Sequence, residues 1–142
     1  MITTLSQLIA QVESSGNPYA VRFEASYSPG NSQIIKMQSL ARCTLATAGV
    51  LCKISWGLFQ IMGDNLVDLG LDMSPIAYCS EKIEQLNMFN AYCVANDCVY
   101  TLEDVISNAS KRLDFARKYN GPGDPVAYAA AMMNAYQDAQ NG

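Results

Sequence analysis

The residue types in this chain narrow the chemistry that it can perform. The sequence has no histidine, which excludes Ser-His-Asp and Cys-His catalysis and every metal site that needs a histidine ligand. General acid–base chemistry must therefore use Glu, Asp, Lys, Tyr or Cys side chains. The five cysteines form no C-x-x-C pair, so a zinc ribbon is not expected. Buried thiols and one or two disulfides both remain open for Cys43, Cys52, Cys79, Cys93 and Cys98.

Glu13 is the carboxylate whose position best suits catalysis. It lies at the end of an apolar repeat that predicts a helix over residues 5–15. Burial and the partial negative charge at a helix C-terminus both disfavour an ionised carboxylate, so we expect a raised pKa for Glu13. A neutral carboxylic acid near pH 7 is what protonation of a glycosidic oxygen requires. The alternative is a solvated surface glutamate.

Two other segments combine residues of chemical interest. Residues 55–62 read SWGLFQIM, in which Gly57 would let a ligand or another backbone approach closely. A helical turn buried in the core is the alternative for this segment. Residues 119–121 read YNG, which predicts a helix C-cap that also holds a tyrosine hydroxyl and an amide in place.

The remaining pattern predicts a mainly helical domain over residues 1–142. Helices are expected over about 33–45, 80–95 and 102–119 and from Pro125 onward, with a small extended element near residues 45–55. Gly49 is expected to break the first of these helices, and Ile83 and Leu86 to face inward from the second.

Charge and hydropathy limit the partners that the chain can have. The formal net charge is −4 and there is no basic run, so nucleic acid and anionic lipid are not expected partners. No apolar run reaches the length of a membrane span, and the N-terminus lacks the basic start of a signal peptide.

The three segments together resemble the soluble lytic transglycosylases of the lysozyme-like superfamily. Residues 13–20, ESSGNPYA, resemble the family's E-S-x-G-N-P-x-A motif, and residues 55–62 resemble its S-x-G-L-x-Q-I-M motif. Residues 119–121 resemble the degenerate A-Y-N-x-G motif, although Lys118 replaces the alanine. Tyr128 or Tyr136 matches a tyrosine that often follows. The stretch from 25 to 54 is longer than expected between the first two motifs.

The resemblance implies a lysozyme-like, all-α fold and peptidoglycan glycan strands as the substrate. Glu13 would be the single catalytic acid, and no metal or cofactor would be needed. Ser55, Gly57 and Gln60 would line the substrate cleft, with Gly57 leaving room for a sugar. Tyr119 would hydrogen-bond near Glu13, and Asn120 would help to hold that corner of the site.

The sequence leaves three readings of this resemblance open. A transglycosylase would form 1,6-anhydromuramoyl ends, whereas a muramidase would add water with a second carboxylate, for which Glu24 is the first candidate and Asp64 the next. A non-catalytic murein-binding or particle component is the third. A phage or prophage origin is expected, with holin-assisted release to the cell wall or transport in the virion. The oligomeric state is open.

Overall fold

The computed structural model describes residues 1–121 and 123–142, and over these residues it is mainly helical. The helices are α1 Leu5–Ser14, α2 Asn31–Ala41, α3 Leu45–Cys52, α4 Gly63–Asp68, α5 Pro75–Cys79, α6 Lys82–Ala95, α7 Leu102–Ser107, α8 Ala109–Asn120 and α9 Pro125–Asn141. Three short strands, β1 Val21–Phe23, β2 Ile54–Trp56 and β3 Ile61–Met62, form one antiparallel sheet in the order β1-β2-β3. The predicted mainly helical class is therefore confirmed.

The chain divides into two compact units, which we call the terminal unit and the central unit. The terminal unit comprises residues 1–16 and 90–142, and the central unit comprises residues 17–89. In the terminal unit α9 packs against α1 and α8, and α7 packs against α8. In the central unit α2, α3 and α4 pack around a buried cluster of Met37, Ala48, Cys52 and Val67. Of these helices, α2 and α3 account for the long stretch between the first two motifs.

Local capping explains where several helices begin and end. Thr4 and Gln7, whose residue types and spacing in the sequence predict a capping box, form a reciprocal one at the start of α1. Ser15 closes α1 in the left-handed conformation at φ 53°, and its N–H donates to the Gln11 carbonyl at 3.1 Å. The Asp124 side chain accepts from the Ala127 N–H, and Pro125 occupies the first turn of α9.

Several predicted elements differ in the structure. Gly49 lies inside α3 rather than ending a helix, because the Thr44 side chain caps a new helix that runs on to Cys52. The extended element is larger than expected and lies mostly outside residues 45–55, since it includes β1 and β3. The helical turn expected over residues 57–62 is a tight turn that leads into β3. Asn108 divides the helix expected over 102–119 into α7 and α8, because its side chain caps α8 by accepting from the Lys111 N–H.

The buried face of α6 is also different from the predicted one. Ile83 is 78% exposed and Leu86 is 40% exposed, whereas Gln85 is completely buried beside Met88 and Phe89. Spacing of three and four residues places these last three side chains on one helical face. The prediction for Ile83 and Leu86 was wrong because the buried face of α6 includes a polar residue, Gln85, which hydrophobic spacing does not reveal.

All five cysteines are thiols in the structure. Four of them are buried and Cys43 is half-buried. Burial raises the pKa of Cys52 to about 11, so this thiol stays protonated at neutral pH. No helix in the described part of the chain is long and apolar enough to cross a bilayer.

One buried hydroxyl provides a test of the packing in the central unit. The Tyr78 hydroxyl has no hydrogen-bond partner among the described residues, and the residue is completely buried. Since an unsatisfied buried polar group costs free energy, we expect Tyr78→Phe to raise the free energy of unfolding by about 1 kcal/mol. Urea denaturation at neutral pH measures this change.

The matched control removes a tyrosine hydroxyl that does have a partner. Tyr27 donates a hydrogen bond of 2.7 Å to the carboxyl of the buried Asp64. Tyr27→Phe should therefore lower the free energy of unfolding by about 1–3 kcal/mol. A Tyr78→Phe variant that is less stable than the native chain would contradict the account of the buried hydroxyl.

Candidate active site

Glu13 lies in the last turn of α1, at the position that the sequence predicts. The residue is half-buried. Its Oε1 atom accepts a hydrogen bond of 2.6 Å from the hydroxyl of Tyr128, which lies in the first turns of α9. The contact joins residues that are 115 positions apart in the chain. It fixes the carboxyl group at the end of α1 relative to α9.

Tyr128 belongs to a cluster of aromatic side chains in the terminal unit. Its ring centroid lies 6.4 Å from that of Tyr119. Tyr119 in turn stacks on Phe115, with ring centroids 5.2 Å apart, and meets Tyr92 edge to face at 5.2 Å. The Tyr92 hydroxyl donates to the Tyr119 carbonyl at 3.1 Å. We call Tyr92, Tyr119 and Tyr128 the tyrosine cluster.

The electrostatic environment keeps the inner hydroxyls of this cluster protonated. Burial, the charge of Glu13 and the hydrogen bond to Glu13 raise the pKa of Tyr128 well above its usual range. Burial, together with the electrostatic influence of Tyr128 and Glu13, does the same for the pKa of Tyr119. Tyr128 therefore remains a hydrogen-bond donor to Glu13 at any pH near neutrality.

Glu13 contributes to the electrostatic environment of Tyr119, and its Oε1 atom accepts the hydrogen bond of the Tyr128 hydroxyl. The hydrogen bond of Tyr119 near Glu13 that the resemblance implies remains a prediction. The sequence offered Tyr128 and Tyr136 only as alternative matches to a trailing tyrosine. Position alone could not choose between them, because both lie on the same helix. Asn120 is exposed at the end of α8, next to Gly121 at φ 79°. Pro122, which belongs to the predicted helix stop, lies outside the described residues.

The second motif lies in the central unit, where its polar side chains bond to each other and to the backbone. The Ser55 hydroxyl donates to Gln60 Oε1 at 2.8 Å. Gln60 Nε2 donates to the carbonyls of Ala20 and Gly57, at 3.1 and 2.9 Å. These bonds hold the turn between β2 and β3 against the segment that leads into β1. A sugar-binding role for Ser55 and Gln60 remains a prediction.

The space expected beside Gly57 is occupied. Gly57 has φ 74°, and a Cβ atom at this position would collide with Gln85 Oε1. The side chain of Gln85 fills the space on the Cβ side of Gly57, so a sugar would have to approach from another side, and a substrate-binding role for Gly57 remains a prediction. Glycine is required here both by the positive φ and by this close approach.

Gln85 is a structural residue of the site that the sequence analysis missed. Its Oε1 accepts from the Leu58 N–H at 2.7 Å. Its Nε2 lies within hydrogen-bond distance of three carbonyl oxygens, those of Pro18 at 3.2 Å, Tyr78 at 3.1 Å and Cys79 at 3.0 Å. One amide thus joins the first motif, the turn of the second motif and the end of α5. The spacing of Gln85 with Met88 and Phe89 was the signal that could have identified it.

The two candidates for a second carboxylate differ in their surroundings. Glu24 follows β1, has a side chain that is 33% exposed, and forms an ion pair of 2.7 Å with the Nε atom of Arg22. Asp64 is buried, and its carboxyl accepts hydrogen bonds from the Tyr27 hydroxyl and the Asn65 N–H. Burial raises the pKa of Asp64, although both hydrogen bonds lower it in part. Glu24 is thus the more accessible of the two.

The pH dependence of the stability of Gln85→Glu, which keeps the shape of the side chain, tests the role of Gln85 as a buried hydrogen-bond donor. In Gln85→Glu one carboxyl oxygen would face the three carbonyl oxygens, so the folded chain would favour the protonated form and the pKa of the new group would rise above the unfolded value of about 4.3. The folded state then binds the proton more tightly than the unfolded state. The loss of stability relative to the native chain is therefore small below about pH 4 and grows as the pH rises.

Unfolding by urea between pH 4 and pH 8 measures this dependence. Gln85→Leu should lower stability by roughly 3–5 kcal/mol throughout that range, because four backbone groups lose their partner. Gln137→Glu, an exposed substitution on α9, is the matched control and should show no such trend. A Gln85→Glu variant that follows the control would contradict the role of Gln85.

Comparison with known proteins identifies the family of the chain. The family model described as N-acetylmuramidase matches residues 13–140, a range that begins at Glu13 and includes Tyr128. The endolysin of Enterobacteria phage PRD1 is 34% identical over 144 residues, which cover 94% of this chain and 95% of that protein. No solved structure matches the chain significantly. From the extent of the family match, the chain belongs to the N-acetylmuramidase family.

Proposed function

We propose that this chain cleaves the β-1,4 glycosidic bond between N-acetylmuramic acid and N-acetylglucosamine in peptidoglycan, with Glu13 as the catalytic acid. The observation that carries the proposal is the half-buried Glu13 carboxyl at the end of α1, held by the Tyr128 hydroxyl at 2.6 Å. Membership of the N-acetylmuramidase family supports the substrate class. Residues of the chain itself supply the acid and the hydrogen-bond donor beside it.

The first step is transfer of a proton from Glu13 to the oxygen that links the two sugars. Because Oε1 accepts from Tyr128, the transferred proton would be carried on Oε2. As the proton leaves, Glu13 becomes negatively charged. The Tyr128 hydroxyl stabilises that charge, since a hydrogen bond from a neutral donor is stronger to an ionised carboxylate.

The second step that we propose uses Glu13 again, as a base. The acetamido oxygen of the substrate stabilises the cationic sugar, and Glu13 takes the proton from the C6 hydroxyl of the muramoyl residue. The C6 oxygen then bonds to C1, which closes a 1,6-anhydro ring and returns the proton to Glu13. The motifs over residues 13–20 and 55–62 support this transglycosylase scheme, which consumes no water.

Hydrolysis is the second candidate, and two observations favour it. The family is described by the name of a muramidase, and the accessible Glu24 offers a second carboxylate. In an inverting reaction this group would activate a water molecule, with the two carboxyl groups about 6.5–9.5 Å apart. The product would then carry a reducing end instead of an anhydro ring.

The relative in phage PRD1 is named an endolysin, and we propose a corresponding role for this chain in attack on the cell wall during phage infection. Delivery through a membrane pore made by a holin and transport in the phage particle are the two routes. The acidic net charge of −4 gives the chain no general attraction to an anionic envelope. That charge favours the particle-borne route slightly.

Glu13→Gln tests the catalytic assignment. Loss of the general acid should lower the rate of release of soluble fragments from purified sacculi by about 10²–10⁴-fold. The free energy of unfolding should change little, and Glu103→Gln, an exposed substitution on α7, should leave the rate unchanged. Native-rate digestion by Glu13→Gln would refute the role of Glu13.

Mass spectrometry of the fragments made by the native chain distinguishes the two reactions. Anhydro ends, lighter than reducing ends by one water molecule, support the transglycosylase. Reducing ends establish hydrolysis, and Glu24→Gln should then abolish their release. Binding to sacculi without release of any fragment would instead indicate a non-catalytic murein-binding role.

Tyr128→Phe tests the hydrogen bond to Glu13. Removing a donor to a charged acceptor should lower kcat by about 10- to 100-fold, which corresponds to a hydrogen bond of about 1.5–3 kcal/mol. Tyr136→Phe on the same helix removes a half-buried hydroxyl and should have a much smaller effect. Equal kcat values for the two variants would show that the Tyr128 hydroxyl does not assist Glu13.

A further inference from the structure

An arginine lies on the same face of the small sheet as the second motif. β1 pairs antiparallel with β2, and the register places Arg22 opposite Ser55, which is in turn opposite Met62 on β3. Side chains of directly opposed residues project from the same face of a sheet. Arg22, Ser55 and Met62 therefore share one face, while the neighbouring Val21 and Phe23 project from the other.

The Arg22 guanidinium is exposed, and an ion pair fixes its orientation. Its side chain is 74% exposed, and Nε forms an ion pair of 2.7 Å with Glu24 Oε1. The backbone N–H of Glu24 donates to the Lys53 carbonyl at 2.9 Å, which continues the pairing of β1 with β2. The guanidinium carries further N–H donors on its two Nη atoms. Glu24 thus orients a group that can bind a second carboxylate in the bidentate geometry typical of arginine.

We propose that Arg22 binds a carboxylate carried by the muramic acid substituent, either on the lactyl group itself or on the peptide attached to it. This inference deepens the proposed function and rests on it. Charge complementarity supports it, because the exposed Arg22 guanidinium is cationic and the substituents of muramic acid carry carboxylates. Arg22 would then distinguish peptidoglycan from a neutral polymer of N-acetylglucosamine.

Arg22→Gln tests the proposal on matched substrates. The substrates are glycan strands that carry stem peptides, strands freed of peptide by an amidase, and each of these after its carboxylates have been converted to neutral methylamides. We expect Arg22→Gln to lower kcat/KM on carboxylate-bearing strands by about tenfold, mainly through a higher KM. On the methylamide strands the native chain and the variant should be equal.

Two further variants separate charge recognition from folding. Arg22→Lys keeps the charge without the planar guanidinium and should recover part of the lost kcat/KM. Lys36→Gln removes an exposed charge on α2 and should leave kcat/KM unchanged on all substrates. If Arg22→Gln lowers kcat/KM on peptide-free strands, the bound carboxylate belongs to the lactyl group. If it lowers kcat/KM on peptide-bearing strands alone, the carboxylate belongs to the peptide.

The outcome that overturns the inference is distinct from failure of the proposed function. Equal kcat/KM for Arg22→Gln and the native chain on carboxylate-bearing strands, or an equal loss on carboxylate and methylamide strands, would overturn the role of Arg22. If the native chain released no fragments from any strand, the proposed function itself would fail.

Discussion

The central unit depends on one buried amide, that of Gln85. A primary amide that is removed from water costs free energy unless its donors and its acceptor are all used. Gln85 meets this requirement with backbone groups from three separate segments, and it thereby fixes their relative positions. The glycine at 57 follows from the same constraint, since any side chain there would collide with the amide. The geometry of the second motif is thus set by a residue that belongs to no motif.

The terminal unit applies the same rule with hydroxyl groups in place of an amide. Buried tyrosines are stable when their hydroxyls find acceptors, and here Tyr128 finds the Glu13 carboxyl while Tyr92 finds the Tyr119 carbonyl. In the proposed reaction, the bond from Tyr128 to Glu13 would serve the fold and the catalysis at once. A carboxyl whose orientation is already fixed needs little reorganisation when its proton is transferred, which is how preorganised donors lower a barrier.

The sequence predicts the parts of this molecule that local chemistry determines. The capping box at Thr4 and the start of α9 at Pro125 depend on a few neighbouring residues, and both are confirmed. β1 could not be predicted, because it has only three residues, all exposed, and its apolar-polar-apolar pattern is too short to identify a strand. The burial of Gln85 and the bond between Glu13 and Tyr128 were missed for a different reason. Both depend on contacts between distant segments, which hydrophobic spacing does not specify.

The two candidate reactions share their first step and differ in the protein groups that the second step requires. Both need a proton from Glu13 and a donor, Tyr128, that stabilises the charge left behind. Hydrolysis then needs an ordered water and a second base, and Glu24 would have to accept a proton while bonded to Arg22. Such an exposed ion pair is worth at most about 1 kcal/mol, so it is a small obstacle. Ring closure needs no further protein group, because the C6 hydroxyl belongs to the substrate and Glu13 has just become a base. The terminal unit alone can therefore supply every protein group that the transglycosylase scheme requires.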